Sequence, residues 1–561
     1  MKKSAFVLLF SALFSIGAFA QSIQDGVNDL YAERYQGAKD KFEKMVAANP
    51  NNIEANYWLG QTLIARGDVA GARALYQKAA ASSSNAPLIR VGMGHVLLLE
   101  GKTAEARSEF EAAITASKGR KGNDPTILNA IGRANVDAAS SKAKSGDIQY
   151  AIAKLTEASQ LAPNNPDILL NLGNAYLKTP NGGGQAVTAY TKATQINPKF
   201  APAFYRMAKI YNTQKNWEIY TRELNSAIAA DATFAPAYYE LYYYNLPRDL
   251  TVAEDYANKF IKNADPGVQN EYLKAQTLFQ QKKYNEAIAL SKNILSASGN
   301  NVNPRVYRLL GYANLEIGDT ATAKQYVDQL FANAKDEDLV GQDQILKAYV
   351  YAKDDPSIVA RSYVEAAKMD SVLQNQISFL NEGIKSFQAS GNKLYEADLR
   401  LALYQLTPNP NPANLFFIGK PYYDAGAYRK ADSVFKAYSA AFPDSIYGYM
   451  YDARALAKLD SNNTTGEAVE AYQKLLDVSM TDKVRYRSTG LEAANFLAGY
   501  SFNIKKDRQA AVDYFNKGLE FDPTNAAILN NLKIIQNASA PAAKPPAKTK
   551  VEPNKTKVKK Q

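Results

Sequence analysis

The sequence predicts an all-α solenoid of about fourteen helix–turn–helix units. Three observations carry that prediction. The stretch from Pro412 to Asp444, PANLFFIGKPYYDAGAYRKADSVFKAYSAAFPD, reads as two helices joined by a glycine turn. Its landmarks recur along most of the chain. At 561 residues the chain is also too long for one compact core, yet no break in composition divides it into unlike globular domains. A stack whose units bury their apolar faces only against neighbours escapes that size limit.

Each landmark has a packing reason. Gly419 and Ala431 are small where two antiparallel helices would cross. Gly426 reverses the chain by permitting a positive φ. Phe435 lies one helical turn beyond Ala431 on the same face and fills the space that the small residues leave. Pro443 cannot continue the helix and closes the unit. This pattern resembles the tetratricopeptide repeat, a helix–turn–helix of about 34 residues. The resemblance implies a right-handed superhelix with a concave groove, used to bind other proteins.

In chain order, residues 1–20 read as an export signal. Met1-Lys2-Lys3 is a basic start, Ala5 to Phe19 is apolar, and Ala18-Phe19-Ala20 has the small-x-small form of a cleavage site. Cleavage is expected after Ala20, and with no cysteine following, a lipoprotein is excluded. The apolar run is too short for a comfortable membrane span. The expected product is an exported, periplasmic bacterial protein.

Residues 21–265 hold the clear N-terminal array. Its units carry Gly26, Ala38 and Phe42; Gly60, Gly67, Ala72 and Tyr76; Gly94, Gly101, Ala106 and Phe110; then Gly132, Gly146, Ala151 and Leu155. In that fourth unit the two glycines stand fourteen apart instead of seven. The extra residues are almost two helical turns, so the first helix is expected to lengthen and project near Asp137 to Ser145. A fifth unit has Gly173, Ala186 and Tyr190, with sixth and seventh around Ala208 and Leu241. Residues 266–406 are degenerate repeats, with Gly311, Gly318 and Ala323 the best kept. Residues 407–537 open on TPNPNP, through which no helix can run, and hold three more units and a capping helix, Ala526 to Asn537.

Residues 538–561 are rich in Ala, Pro and Lys without apolar period, and are expected to be disordered. They hold seven lysines and one glutamate, so the chain's +11 divides as +2 in the signal, +6 in the tail and +3 over the repeats. The tail could hold an anionic membrane or cell-wall surface weakly, or serve as a solubilising end.

Composition excludes several chemistries. Without cysteine there are no disulfides, zinc-thiolate sites or thiol nucleophiles. The lone histidine, His95, excludes histidine metal clusters and Ser-His triads, and is expected to be hydrogen-bonded or solvated. Gly182-Gly183-Gly184 lacks the lysine of a phosphate-binding loop. Repeats leave no room for a catalytic domain, so neither enzyme activity nor a cofactor is expected.

The resemblance further implies which residues line the groove. They are Tyr57, Tyr205, Lys209, Tyr239, Tyr243, Arg308, Tyr312, Phe416, Lys420, Tyr423, Tyr447, Arg454, Phe496 and Tyr500. Tyrosines offer contact area at small rotamer cost, and basic groups would steer an acidic segment. The same tyrosines could instead brace neighbouring repeats. In YYELYYY (Tyr238 to Tyr244), Tyr238, Leu241 and Tyr242 fall on the core side, leaving Tyr239 and Tyr243 for the groove. Some family members clamp a carboxylate between repeats. Here Asn171 and Arg206 match that clamp, while Asn129, Arg133 and Pro202 do not, and no clamp is inferred. Asp319, Asp370, Asp432 and Asp444 open triplets that look like bacterial glycosylation acceptors, and serve equally as helix caps.

The expected function is a non-enzymatic scaffold that holds other proteins of an envelope assembly in its groove. The alternative is binding of an envelope polymer, peptidoglycan or an anionic glycan, through the tail and the tyrosines. Export and the near-neutral body argue against nucleic acid.

Overall fold

The computed structural model describes residues 22–82, 86–299 and 302–537, which form 29 α-helices and no strand. The expected export signal and basic tail lie outside the described residues. Two compact units divide between Val302 and Asn303, after the eighth helix pair. The divisions at 265/266 and 406/407 follow the clarity of the repeats, not compactness.

The N-terminal unit stacks eight pairs: α1 (Ile23–Tyr31) with α2 (Tyr35–Ala48), α3 (Ile53–Ala65) with α4 (Val69–Ser82), α5 (Pro87–Leu99) with α6 (Thr103–Ser117), and α7 (Pro125–Ser140) with α8 (Ile148–Leu161). It continues with α9 (Pro166–Tyr176) and α10 (Gly183–Ile196), α11 (Ala201–Thr213) and α12 (Trp217–Ala230), α13 (Ala235–Asn245) and α14 (Leu250–Asn263), and α15 (Val268–Gln280) and α16 (Tyr284–Ser298). The C-terminal unit holds α17 (Pro304–Glu316) and α18 (Thr320–Asn333), α19 (Gly341–Val350) and α20 (Pro356–Met369), and α21 (Leu373–Ser390) and α22 (Lys393–Leu406). After the TPNPNP break come α23 (Asn414–Asp424) and α24 (Tyr428–Ala441), α25 (Ile446–Leu459) and α26 (Glu467–Ser479), α27 (Arg487–Tyr500) and α28 (Arg508–Phe521), and the lone α29 (Ala526–Asn537). Fourteen pairs and a terminal helix are what the pattern predicts. The pairs of 266–406 are intact despite their weak landmarks.

Helix starts follow from local chemistry. Asp124-Pro125, Asn165-Pro166, Asn303-Pro304 and Asp355-Pro356 each place a capping side chain before a proline in the first turn. The turn inside a pair needs a left-handed residue, supplied by Gly67, Gly101, Gly318 and Gly426 at φ between 75° and 83°. In other pairs Glu33, Lys215 and Lys282 take the same conformation at 61°, 55° and 60°.

In five pairs the crossing is set by glycine against a ring. A Cβ at Gly26, Gly60, Gly94, Gly173 or Gly419 would stand 2.1 to 2.8 Å from Phe42, Tyr76, Phe110, Tyr190 or Phe435 on the second helix. All five rings are buried, as are the alanines Ala38, Ala72, Ala106, Ala186 and Ala431 that face the same crossing. At the C-terminal end Ile528 of α29 lies over Gly518 and, with Ile535, closes the apolar face of Ala511 and Phe515.

The fourth pair departs from expectation. Helix α7 does lengthen, but it ends at Ser140, and the following segment folds back along it instead of projecting. Gly146 makes this possible, since a Cβ there would lie 1.8 Å from the carbonyl oxygen of Asn135. The Asn135 side chain accepts from the Asp147 amide at 3.1 Å, and the Ser145 hydroxyl donates to the Leu98 carbonyl of the preceding pair. The second glycine is therefore a close-approach residue. The proline inside α23, Pro421, also passes unannounced by the repeat pattern; it removes one internal hydrogen bond from that helix.

Ala431 has no exposed surface at its crossing. Ala431→Leu is expected to overpack it and destabilise the C-terminal unit by roughly 1–3 kcal/mol. Hydrogen exchange over α23 and α24, with the thermal melt, measures this; an unchanged profile would mean that the crossing lies elsewhere.

Candidate functional site

A cavity of ≈ 820 Å³ lies within the N-terminal unit, lined by α1, the turn after it, α3, α7 and the starts of α9, α11 and α13. Its wall is aromatic and its polar groups converge. The Arg133 guanidinium lies 4.2 Å from the ring centre of Trp58 and donates to the Tyr57 hydroxyl at 3.0 Å. Its other terminal nitrogen donates to the Tyr31 hydroxyl at 3.4 Å, and Tyr31 donates in turn to the Asp167 carboxylate. Asn129 donates to Asp167 at 2.6 Å and accepts from Asn171 at 2.9 Å. Burial first, then the Asp167 charge, pushes the Tyr31 phenol up, so it keeps its proton and donates. Arg133 Nε is buried here without a partner.

Behind this wall a second chain crosses three repeats. Tyr76 donates to the Tyr57 carbonyl at 2.9 Å and accepts from Gln61, whose amide oxygen faces His95 Nδ1 at 3.2 Å. His95 Nε2 lies 2.9 Å from Asp137. Both ring nitrogens thus face side-chain oxygens. Burial raises the Asp137 carboxyl, but the His95 hydrogen bond and the neighbouring charges, Arg133 and Lys178 among them, together outweigh it and hold the group below its ordinary value. His95 is buried and hydrogen-bonded, and no metal-binding cluster occurs among the described residues.

Of the expected groove residues in this unit, Tyr57 lies in the cavity wall, almost fully buried. Tyr205 sets its ring edge-on to Phe234 at 5.6 Å, and Lys209 pairs with Glu240 of the next repeat at 2.6 Å. Tyr239 and Tyr243 contact each other at 4.8 Å; Tyr243 donates to Gln276, and Tyr239 accepts from Gln269. Tyr238, Leu241 and Tyr242 are buried in the core.

In the C-terminal unit, Arg308 grips Asp343 with two nitrogens and Arg454 grips Glu492 likewise, each reaching the next repeat. Lys420 pairs with Asp424 on its own helix. The basic lining is therefore neutralised by carboxylates, three of its four members across a repeat boundary. Tyr312 donates to the Gln342 carbonyl, Phe496 stacks on Tyr472 at 3.9 Å, and Tyr500 lies over Gly466. These contacts brace neighbouring helices.

One group differs. Phe416 stands among the rings of Phe417, Phe435, Tyr438, Tyr447 and Tyr451, with centroids 5.8 to 6.2 Å away. Tyr423 joins through Tyr451 at 5.3 Å. Phe417 is 59% exposed and Tyr447 53%. They make an aromatic surface on the first helices of the twelfth and thirteenth pairs. Tyr31, Trp58, Asp167 and Phe417 were absent from the expected set. Tyr31 and Asp167 are 136 residues apart, and no local pattern joins them.

Two tetratricopeptide-repeat profiles match residues 29–90 and 493–525 respectively, and a TPR repeat profile matches residues 141–179. No curated protein matches the chain. Among solved structures, the C-terminal part of a TPR repeat-containing protein from Cytophaga hutchinsonii is 23% identical over 46% of this chain and 99% of its own, with a TM-score of 0.25. A tetratricopeptide repeat protein from Parabacteroides merdae is 17% identical over 44% of this chain and 96% of its own, with a TM-score of 0.36. The APC/C hetero-tetramer Cut9-Hcn1 is 14% identical over 92% of this chain and 97% of its own, with a TM-score of 0.35.

Between α24 and α25 lies a buried pair of acids, Asp432 and Asp452. Lys436 reaches one Asp432 oxygen at 2.7 Å, while an Asp452 oxygen has no donor of its own, and a proton shared between the two acids satisfies it. Burial first, then the neighbouring Asp432, pushes the Asp452 carboxyl up to about 8. Burial also opposes ionisation of Asp432, but hydrogen bonds from Asp452 and Lys436 hold it below its ordinary value. Arg429 and Lys474 complete the surrounding charges. An unfolded aspartate has a pKa near 3.8, so the folded state alone holds this proton between about pH 4 and 8. The stabilisation is full below that window and fades as pH rises through it. Melting temperatures at pH 5, 7 and 9 are expected to fall in the wild type and to change less in Asp452→Asn; parallel slopes would contradict a shared proton.

Proposed function

Because this chain is a tetratricopeptide-repeat protein, we propose that it is a non-enzymatic scaffold that binds other proteins in a bacterial cell envelope. The Phe416-centred aromatic surface carries the proposal. Elsewhere the tyrosine and basic side chains of the expected groove are used by neighbouring repeats. Here large apolar rings, Phe417 and Tyr447, stay exposed on a rigid support of buried Phe435 and half-buried Tyr451. Clustered exposed aromatics of this kind are characteristic of protein-binding sites, where they give much contact area for little conformational entropy.

The signal-like residues 1–20 support export, with periplasmic delivery and Gln21 as the mature N-terminus. No described helix is long and apolar enough to cross a membrane. The partner segment lies across the first helices of the twelfth and thirteenth pairs and buries Phe417 and Tyr447 against its own apolar side chains.

A photo-crosslinking amino acid placed at Phe417 or Tyr447 in the native cell tests this. Discrete protein conjugates are expected, reduced at least tenfold by Phe416→Ala. The same probe at Val484, which is 91% exposed outside the cluster, should give none of them. Identical conjugates from Val484, or none from either aromatic position, would sink the proposal.

A further inference from the structure

The concave face of the N-terminal unit is not empty. The turn between α1 and α2 reaches across to the fifth, sixth and seventh pairs of the same unit. Tyr31 sets its hydroxyl between Arg133 and Asp167. Ala32 is 1% exposed and belongs to one apolar cluster with Ala201, Ala208, Leu224 and Phe234. Arg34 donates to the Thr233 carbonyl at 2.6 Å. Helix α2 has no side-chain cap of its own at Arg34. Its cap comes from Asp265, beyond α14, whose carboxylate accepts the amides of Gln36 and Gly37 at 2.6 and 3.2 Å. Between Tyr31 and Arg34 the chain turns on Glu33, a left-handed residue with a side chain, at φ 61°.

These contacts differ in kind from those between consecutive repeats. Consecutive pairs bury whole helix faces, whereas this closure rests on the Tyr31 ring against Phe200, one methyl group and a few hydrogen bonds of partly exposed groups. It can break while every pair keeps its packing on the next. The ≈ 820 Å³ cavity is the groove volume that the closure leaves.

We propose that Tyr31–Gly37 is a built-in occupant of this groove, a clasp that leaves when a partner segment presenting an aromatic hydroxyl followed by a small residue takes its place. The Arg133–Asp167 slot receives the hydroxyl and the Ala32 pocket receives the small side chain. This inference rests on the scaffold reading in so far as partner segments enter the concave face, but its tests need no cellular partner.

The chain has no cysteine, so a single introduced thiol reports on the clasp. Three full-length variants each carry one: Ala32→Cys in the clasp, Ala106→Cys in the core and Val484→Cys on the surface. The clasp thiol should react with a maleimide dye more slowly than the surface thiol and faster than the core thiol. Adding Tyr31→Phe and Asp265→Asn should speed the reaction of the clasp thiol at least tenfold and leave the core thiol unchanged. A clasp thiol as slow as the core thiol in both backgrounds would make the contact a permanent part of the core; one as fast as the surface thiol in both would mean no clasp. Either result overturns the proposal. A labelled peptide of residues 28–37 provides a second readout that does not depend on folding of the Ala32→Cys variant. It should bind the full-length Tyr31→Ala protein at least tenfold more tightly than the wild type, and lose this when the peptide's own Tyr31 is alanine. Equal binding to both proteins would overturn the proposal. A clasp that opens while Phe417 and Tyr447 give no conjugates would leave this inference standing and defeat the scaffold at the aromatic surface.

Discussion

The architecture of the clearest pairs depends on a glycine of one helix lying against the tip of an aromatic ring of the next. At Gly60 the clearance is such that a single methyl group would stand 2.1 Å from the Tyr76 ring. Glycine inside a helix costs about 1 kcal/mol relative to alanine. Here that cost is offset by complete burial of the ring, for which about 1.5–3 kcal/mol is typical. The ring also does more than fill space. The Tyr76 hydroxyl passes between the helices to the Tyr57 carbonyl and the Gln61 amide, so the same contact that sets the helix crossing anchors the polar chain to His95. In the five pairs built this way, the spacing of the two helices follows from this contact.

The helices were legible because their determinants are local. Gly419, Gly426, Ala431 and Phe435 lie within one repeat, and so do the proline starts and Asn or Asp caps. Harder to read were the turns at Glu33, Lys215 and Lys282, where a residue with a side chain adopts the conformation that glycine signals elsewhere. Gly146 misled in the other direction: glycine permits both a reversed chain and a close approach, and the spacing alone does not distinguish them. The folded-back segment after α7 follows from the second use.

The groove was legible as a face and not as a set of free groups. Lys209 and Glu240, Arg308 and Asp343, and Arg454 and Glu492 are each separated by about the length of one repeat, and stacking brings such residues side by side. That spacing was a signal in the sequence. Pairing neutralises the charges; Lys209–Glu240 and Arg454–Glu492 are partly exposed and stabilise by little, about 0–1 kcal/mol each, whereas the Asp343 carboxylate is fully buried beneath Arg308. Their effect is to fix one repeat's angle on the next. Nothing comparable announced Tyr31 against Asp167, because their meeting depends on the accumulated curvature of five repeats.

The cap that Asp265 places on α2 has a consequence for the order of events during synthesis. Gln36 lies 229 residues before the carboxylate that receives its amide. While the chain emerges from its N-terminus, the earliest helix pair has its covalent neighbours long before it has its cap. Until Asp265 has emerged, the amides of Gln36 and Gly37 lack this acceptor, so the first helix pair is completed only once the seventh is in place.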